Sequence, residues 1–381
     1  MPVEGTAFVN RKQLVDEVVS TLSNKRIRMG FAFYGKRRIG KTSLLKEVGR
    51  KLKAEKGIVV IYFSFWDLVD YNIEEFSKKF TEAVLEGFKE VLPIKYKIKD
   101  LLGASITLLR QILYEAKISI LLANEIELLL RFEKKKEDIG AVIERIFSLP
   151  EQIAKEKNVR CILLLDEFPS IMDLKNGKAI GEGIIRKIRT ISENQNNTIL
   201  CVSGSIKKTM TITCLSSASA FYQQFLIREV KPLEINAIRI LVKKNIGGKI
   251  DEEALKQLFL STQGIPFYIH LIGKRIEQLN KIRGKDILEA KRDILENEGE
   301  IIFREEFNNL SPKERRILIT IANGFKRLSN ISKESGMNPS IIGKFLVYLE
   351  EKGFVERTEK GIYAIEDPIF EEWLAKKFSI F

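Results

Sequence analysis

Eight consecutive residues near the start of the chain have types and spacing that suit phosphate binding. Gly35, Gly40, Lys41 and Thr42 satisfy the pattern G-x-x-x-x-G-K-[ST]. Glycines here let successive backbone N–H groups converge on phosphate oxygens at the start of a helix, whose dipole favours negative charge. We expect Lys41 to reach the β- and γ-phosphates and the Thr42 hydroxyl to bind Mg²⁺. The alternative is an ordinary turn between a strand and a helix.

The context of this segment favours the phosphate-binding interpretation. An apolar run of strand type covers residues 28–34, and helical periodicity follows over residues 42–52. The predicted ligands are ATP and Mg²⁺. The residues expected to contact them here are Gly35, Lys36, Arg37, Arg38, Ile39, Gly40, Lys41, Thr42 and Ser43.

A pair of acids follows another apolar strand, at residues 161–165. At the end of such a strand, Asp166 would lie beside the metal, and Glu167 where an attacking water would be. Glu167 needs only hydrogen-bond reach to that water to act as a general base. Two acids also begin ordinary loops, but together with the phosphate-binding segment they predict an ATPase site.

Hydroxyl groups follow a further apolar strand at residues 198–202, namely Ser203 and Ser205 around Gly204. Ligands of open α/β folds bind at this edge of the sheet. One hydroxyl is therefore a candidate for sensing the terminal phosphate or positioning water. The alternative is a simple Ser/Gly turn.

Continuous apolar strands separated by helical stretches predict an α/β fold with a parallel sheet covered on both faces. Residues 58–63 supply one more such strand, and residues 72–91 an amphipathic helix. An insertion is expected at about residues 92–145. Within it, residues 117–132 fit either a helix or a hairpin that turns near residues 123–125, and we favour the hairpin.

With 381 residues the chain is long enough for two or three domains. We expect a core over residues 1–231, a helical segment over 232–300, and a third domain over 301–381. The net charge is +13, and residues 1–60 hold 14 basic against 5 acidic side chains. This excess favours anionic partners such as nucleotide or nucleic acid, the alternative being a solvated lysine-rich surface.

Three cysteines without metal-ligand spacing indicate free, mostly buried thiols in a reducing compartment. The N-terminus lacks the features of a signal peptide. The most apolar region, residues 101–130, contains too many charges for a membrane span. We therefore expect a cytoplasmic protein that does not enter membranes.

These motifs together resemble the archaeal ATPases of the STAND class, which are AAA+-related switches with a P-loop. The resemblance rests on residues 8–11, the Gly-x-Arg-Arg-x-Gly-Lys-Thr-Ser loop, the Asp166-Glu167 strand end, Gly264-x-Pro266 and the C-terminal domain. It implies that Phe8, Val9, Arg11 and Pro266 flank the adenine. It also implies that the helical segment after residue 232 is a lid.

One departure from the family concerns an arginine. Members often carry Ser-Pro-Leu-Tyr-Gly-Arg before the Pro-Leu that opens the lid, and Gln224 stands at the arginine position here. Glutamine cannot neutralise developing phosphate charge, and an arginine supplied in trans is worth several orders of magnitude in turnover. Arg228 is a possible substitute on which we do not rely. We expect slow intrinsic hydrolysis, as in a switch.

The C-terminal domain reads as a winged helix-turn-helix. Helices are expected at residues 312–322, 328–337 and 338–351, followed by strands at 354–357 and 362–365. The third helix would read a DNA major groove, but residues 338–352 carry a net charge of zero, whereas DNA readers are usually basic. DNA binding, with Lys36, Arg37 and Arg38 sharing the contact, and docking of an unidentified protein both stay open. So do three functions: an ATP-dependent switch, a DNA-binding regulator or initiator, and a nucleotide-binding scaffold.

Overall fold

The computed structural model describes residues 5, 8–92, 105–131, 138–205, 210, 221, 223–245 and 249–379. They divide into two units. The first comprises residues 1–34, 41–204 and 209–229, and the second comprises residues 35–40, 205–208 and 230–381, insofar as these are described. The expected domain boundaries stay a prediction.

A five-stranded sheet is the centre of the first unit. Its strand order is β2-β3-β6-β1-β7, and every neighbouring pair is parallel. A two-residue antiparallel ribbon joins β4 and β5. The strands are β1 (Gly30–Tyr34), β2 (Ile58–Ser64), β3 (Arg160–Asp166), β4 (Lys175–Asn176), β5 (Lys178–Ala179), β6 (Thr198–Gly204) and β7 (Phe225–Glu229).

Helices cover both faces of this sheet. The helices are α1 (Lys12–Ser23), α2 (Lys41–Leu52), α3 (Ile73–Phe88), α4 (Ile106–Glu115), α5 (Ile120–Leu130), α6 (Ile139–Glu156) and α7 (Gly181–Glu193). On one face α2 packs on β2, β3 and β6, and α1 packs on α2. On the other face Leu163 and Leu165 of β3 share a core with Phe76, Phe80 and Phe147 from α3 and α6. Successive side chains of a strand therefore enter different cores.

The α/β fold with a parallel sheet is confirmed, and each of the four predicted strands is present. The analysis missed β7, an edge strand. Its alternating burial reflects one half-exposed face, so it lacks the continuous apolar run of the central strands.

The favoured hairpin at residues 117–132 is wrong, because this stretch contains the helix α5. Ser119 caps it by accepting the Leu122 N–H. The buried residues Leu122, Ile126 and Leu129 recur at helical spacing. The expected insertion is described only in part, since residues 93–104 and 132–137 lie outside the described residues.

The second unit is helical apart from two small strand pairs. Its helices are α8 (Ile235–Asn245), α9 (Glu252–Thr262), α10 (Pro266–Ile276), α11 (Gly284–Asp293), α12 (Gly299–Asn308), α13 (Pro312–Ala322), α14 (Leu328–Ser335), α15 (Pro339–Glu351) and α16 (Pro368–Lys377). Its strands are β8 (Lys249–Ile250), β9 (Lys281–Ile282), β10 (Val355–Glu359) and β11 (Ile362–Ile365). The pair β8–β9 is parallel, and β10–β11 is antiparallel.

The end of the chain has the helices and strands predicted for it, in the same order. Ser311 and Glu314 form a capping box that starts α13, with Pro312 in the first turn. Trp373 of α16 packs with Phe303, Phe307 and Phe370, which joins α12 to the last helix. This segment therefore has an aromatic core of its own.

Two further expectations concern thiols and membranes. Cys161 and Cys201 are free and buried, as predicted, and Cys214 lies outside the described residues. Within the described ranges, every helix is too short or too polar to cross a membrane.

Candidate nucleotide-binding site

Three hydroxyl groups donate hydrogen bonds to the carboxylate of Asp166. The Thr42 Oγ1 and Tyr62 OH groups donate to Oδ2 over 2.7 Å and 2.9 Å, and the Ser203 Oγ donates to Oδ1. Asp166 is 2% exposed. A carboxylate this buried must have its oxygens hydrogen-bonded, and these hydroxyls satisfy that requirement. The predicted residues Thr42, Asp166 and Ser203 thus meet at one point.

Strand register explains why these side chains converge. Ser64 lies opposite Asp166, so Tyr62 stands two residues earlier on the same face of the sheet. Leu165 lies opposite Val202, which places Ser203 beside Asp166. The residues of β2, β3 and β6 that alternate with these belong to the core on the α3 face. The hydroxyls therefore project toward the face that α2 covers.

The start of α2 supplies Lys41 and Thr42. Gly40, just before it, has φ +91°, a conformation that costs other residues strain but suits glycine. Lys41 is 4% exposed, and Ser43 is also buried. The structure thus places a lysine and two hydroxyl groups in the first turn of a helix, where anions are favoured.

Glu167 continues directly from β3 in a left-handed conformation with φ 50° and ψ 43°. For a residue other than glycine this conformation costs on the order of 1 kcal/mol or more, and such strain is concentrated at functional sites. The Glu167 side chain is 8% exposed. Ser205, just beyond β6, is equally buried.

The start of β6 is held by a single carboxylate from α6. Glu151 accepts hydrogen bonds from the backbone N–H groups of Asn196, Asn197 and Thr198 over 2.7–3.1 Å. The Asn197 side-chain amide donates to it as well, over 3.0 Å. These bonds fix where β6 begins, and therefore where Ser203 falls five residues later.

The arginines of the loop at residues 35–40 form ion pairs within the second unit. Arg37 and Arg38 each donate to one oxygen of Glu306 over 3.0 Å, and Arg38 also donates to Asp367 over 3.0 Å. The Lys36 ammonium lies 3.1 Å from Glu356. The DNA contact proposed for these three basic side chains would therefore have to compete with carboxylates that already neutralise them.

Arg38 is the most enclosed of these cations, with its side chain 17% exposed. Its guanidinium lies over the rings of Phe267 and Phe303, at 5.6 Å and 5.4 Å from their centroids. Burial alone would lower the pKa of Arg38, but the charges of Tyr268, Asp367 and Glu306 raise it above its ordinary value. Arg38 is thus a permanent cation in a largely apolar setting.

The residues expected to flank the adenine lie apart in the two units. Phe8 and Val9 precede α1, and Phe8 donates its N–H to Gly5 over 3.1 Å. Arg11 caps α1 in a left-handed conformation, and burial lowers the pKa of its guanidinium to about 10. Pro266 begins α10. Their role toward adenine stays a prediction.

The turn before Pro266 depends on Gly264, which has φ +74°. The Gly264 carbonyl accepts the Leu233 N–H over 2.8 Å, and a Cβ on Gly264 would overlap the Leu233 carbonyl oxygen. This bond joins the segment that follows Pro232 to the start of α10. The Pro-Leu and Gly-x-Pro elements of the family resemblance therefore meet.

Gln224 lies at the wrong edge of the sheet to complete the site within its own chain. It immediately precedes β7, whose first residue pairs with the first residue of β1, Gly30. The phosphate-binding segment follows the opposite end of β1. The Gln224 amide donates to Glu193 over 2.8 Å, and Arg228 is paired with Glu17. Arg228 is thus engaged elsewhere in its own unit.

Tyr62, Glu306 and Asp367 are site residues that the sequence analysis missed. Burial and the charge of Asp166 raise the pKa of the Tyr62 phenol, so it remains a donor at neutral pH. Tyr62 is the one polar-tipped residue amid the aliphatic part of β2, but its partner follows only from strand register. The two acids are separated from the loop by more than 260 residues, and no local pattern connects them.

A family comparison decides what this arrangement belongs to. The profile of an ATPase domain family found predominantly in Archaea matches residues 8–272, which is more than half of the chain. The chain belongs to this family. The matched region contains both the phosphate-binding segment and Asp166-Glu167, so the chain carries an ATP-binding ATPase domain.

Individual relatives agree with the archaeal ATPase assignment. An ATP-binding protein of Methanocaldococcus jannaschii described as uncharacterized is 23% identical over 200 residues, which are 52% of each chain. The chain thus spans about half the length of this curated relative. A Walker-type ATPase of Pyrococcus abyssi is 17% identical, with a TM-score of 0.68 over 98% of this chain and 97% of its own.

A second solved structure is the ORC2 protein of Aeropyrum pernix in ADPNP and ADP complexes. It is 12% identical, with a TM-score of 0.55 over 99% of this chain and 96% of its own. At these identities the two structures show a common fold of P-loop ATPases.

Proposed function

We propose that this archaeal-type ATPase is a Mg²⁺-dependent, slowly hydrolysing switch of the STAND class. The observation that carries the proposal is the hydrogen bond of 2.7 Å between the Thr42 hydroxyl and Asp166. It joins the end of the phosphate-binding segment to the acid at the end of β3. These are the two protein groups through which P-loop ATPases hold their metal.

The donor set at this point suits magnesium. The Thr42 hydroxyl and the Asp166 carboxylate are hard oxygen ligands, and Mg²⁺ in nucleotide sites takes one or two such groups together with phosphate oxygens and water. When bound, the ion would neutralise charge on the β- and γ-phosphates. The chain itself would hold phosphate with the Lys41 ammonium and the N–H groups of the loop.

The proposed chemical step is removal of a proton from water by Glu167. The backbone of Glu167 is fixed in a strained conformation at the end of β3, which limits where its carboxylate can point. Ser203, adjacent to Asp166, is the candidate for orienting the water or the terminal phosphate. The arginine-to-glutamine departure at Gln224 supports slow turnover.

Control of the C-terminal domain is supported by the ion pairs of the loop. Arg37 and Arg38 belong to the segment that would surround the phosphates, yet their side chains bind Glu306 and Asp367. A change in this loop on nucleotide binding would therefore act on α12 and on the start of α16. We propose residues 232–300 as the lid and residues 301–381 as a winged helix that responds to it.

A protein is the favoured partner of the proposed winged helix. Along α15 the side chains of Ile341, Val347 and Tyr348 are exposed, at 40%, 41% and 47%. These apolar groups accompany a helix whose charges cancel. DNA readers instead present basic side chains for phosphate contacts. Duplex DNA as partner is the alternative that the experiment must test.

The test is steady-state ATP hydrolysis with and without duplex DNA at fixed salt, comparing wild type with Glu167→Gln. The expected result is a slow rate, indifferent to DNA, that falls at least about 100-fold in the variant while ATP binding persists, because the base is lost and the phosphate contacts remain. Glu182→Gln, an exposed change on α7, is the matched control.

Three outcomes would contradict parts of this proposal. A turnover of tens per second by the isolated protein would refute the slow switch. DNA stimulation that disappears in Glu167→Gln would favour the initiator-like alternative. ATP binding that survives Lys41→Ala undiminished would refute the nucleotide site itself, because Lys41 is the proposed phosphate ligand.

A further inference from the structure

Tyr62 has a position that the proposed reaction does not yet use. It belongs to β2, and its phenol donates to Asp166 Oδ2 over 2.9 Å. Thr42 donates to the same oxygen, whereas Ser203 donates to Oδ1. The carboxylate is therefore held by one hydroxyl on one oxygen and by two on the other.

We propose that Tyr62 is a positioning residue that orients the Asp166 carboxylate for Mg²⁺ at the nucleotide site. This inference rests on the proposed function. A carboxylate turns about its terminal bond with little resistance, since that torsion is broad. Hydrogen bonds to both oxygens stop the rotation. They keep Oδ2 directed at Thr42, whose hydroxyl is the predicted metal ligand.

The surroundings of Tyr62 favour a fixed phenol. The Lys46 ammonium of α2 lies 5.2 Å from the centre of its ring, a cation–π contact that opposes tilting of the ring. Its strand neighbours are buried on both sides, at Ile61 and Phe63. The phenol reaches Asp166 from the adjacent strand, independently of the phosphate-binding loop. The Asp166 carboxylate therefore stays aligned whether or not that loop changes on nucleotide binding.

A purely structural role would give a different result from positioning. If the hydroxyl only satisfied a buried carboxylate, its removal would lower stability and leave the magnesium dependence of binding unchanged. If it orients the carboxylate, removal weakens metal binding specifically. Groups that orient metal ligands from outside typically affect metal affinity about 10- to 100-fold. The single bond of Tyr62, supported by two other hydroxyls, belongs at the low end.

The experiment uses Tyr62→Phe in the full chain, because phenylalanine keeps the ring and the Lys46 contact. Binding of a fluorescent ADP is measured first in EDTA and then during a titration with Mg²⁺. We expect EDTA binding within about twofold of wild type, and a Mg²⁺ midpoint raised about tenfold. The control is Tyr114→Phe, which removes a phenol hydroxyl from an 80% exposed position on α4 and leaves both values unchanged.

Ser203→Ala provides a second, independent variant. It removes the hydroxyl from the other oxygen of the same carboxylate and should also raise the Mg²⁺ midpoint. The double variant should exceed the product of the two single effects, because the last restraint against rotation is then gone.

The possible results separate the two proposals. An unchanged Mg²⁺ midpoint in Tyr62→Phe, with ADP still bound in EDTA, overturns the positioning role and leaves the ATPase proposal intact. A wild type that binds no nucleotide, with or without Mg²⁺, instead refutes the proposed function. Circular dichroism confirms in each case that the variant is folded.

Discussion

Replacing Glu306 by glutamine tests the ion pairs that hold the loop arginines. One carboxylate oxygen accepts from Arg37 and the other from Arg38, both over 3.0 Å, and the Glu306 side chain is 32% exposed. Fully exposed pairs contribute about 0.2–1 kcal/mol, and breaking a fully buried pair costs about 3–5 kcal/mol. For two pairs of intermediate exposure we expect a loss of about 1–2 kcal/mol, because glutamine is isosteric but cannot attract both cations.

The same substitution should strengthen nucleotide binding. Removing a negative charge near the loop leaves Arg37 and Arg38 able to attract phosphate instead. At the effective dielectric of a protein surface one unit charge at moderate distance is worth roughly 1 kcal/mol. We therefore expect the Kd for ADP to fall about fivefold, with a steeper dependence on salt. Lower stability together with tighter binding is a combination that general damage to the fold does not produce.

The assay pairs thermal unfolding with fluorescent ADP binding at two salt concentrations. The unfolding midpoint should fall by roughly 3–6 °C for a unit of this size. The matched control is Glu305→Gln, an exposed neighbour on α12, which removes the same charge one residue away. If both variants unfold at the same temperature, or if Glu306→Gln binds ADP more weakly than wild type, the reasoning about the ion pairs is refuted.

Two further substitutions test the second unit. Gly264→Ala should cost about 2–3 kcal/mol in urea unfolding, because the new Cβ would meet the Leu233 carbonyl oxygen at a positive φ; a loss below about 0.5 kcal/mol would contradict this. Burial alone would raise the pKa of Glu314, but Lys352 and Ser311 lower it overall. Its stabilising contribution is thus present above the unfolded pKa of about 4.3 and lost as pH falls through the lower folded value. Glu314→Gln keeps the capping box and should flatten the decline in unfolding free energy below about pH 4, whereas a parallel decline would contradict the assignment.

The central strands could be predicted because burial on both faces leaves a local signature. Residues 161–165 are apolar without interruption, and only a parallel strand between two layers of helices is buried in that way. The phosphate-binding segment was equally visible, since glycine, lysine and threonine at fixed spacing have few other uses. Both inferences depend on neighbours in sequence.

The errors and omissions concern information that local sequence does not contain. An apolar stretch such as Ile120–Leu130 suits a strand or a buried helix, and the packing partner decides between them. Tyr62 reaches Asp166 because β2 and β3 pair in one register, which no single strand encodes. The partners of Arg37 and Arg38 come from a segment that folds in the other half of the chain.

The carboxylate of Glu151 works as a length gauge for β6. It fixes the strand at Thr198, and a strand advances about 3.3 Å per residue while its side chains alternate between faces. One residue inserted or deleted before Ser203 would turn that hydroxyl into the opposite core. The count of residues from the Glu151 anchor, as much as their identity, therefore determines whether the hydroxyl meets Asp166.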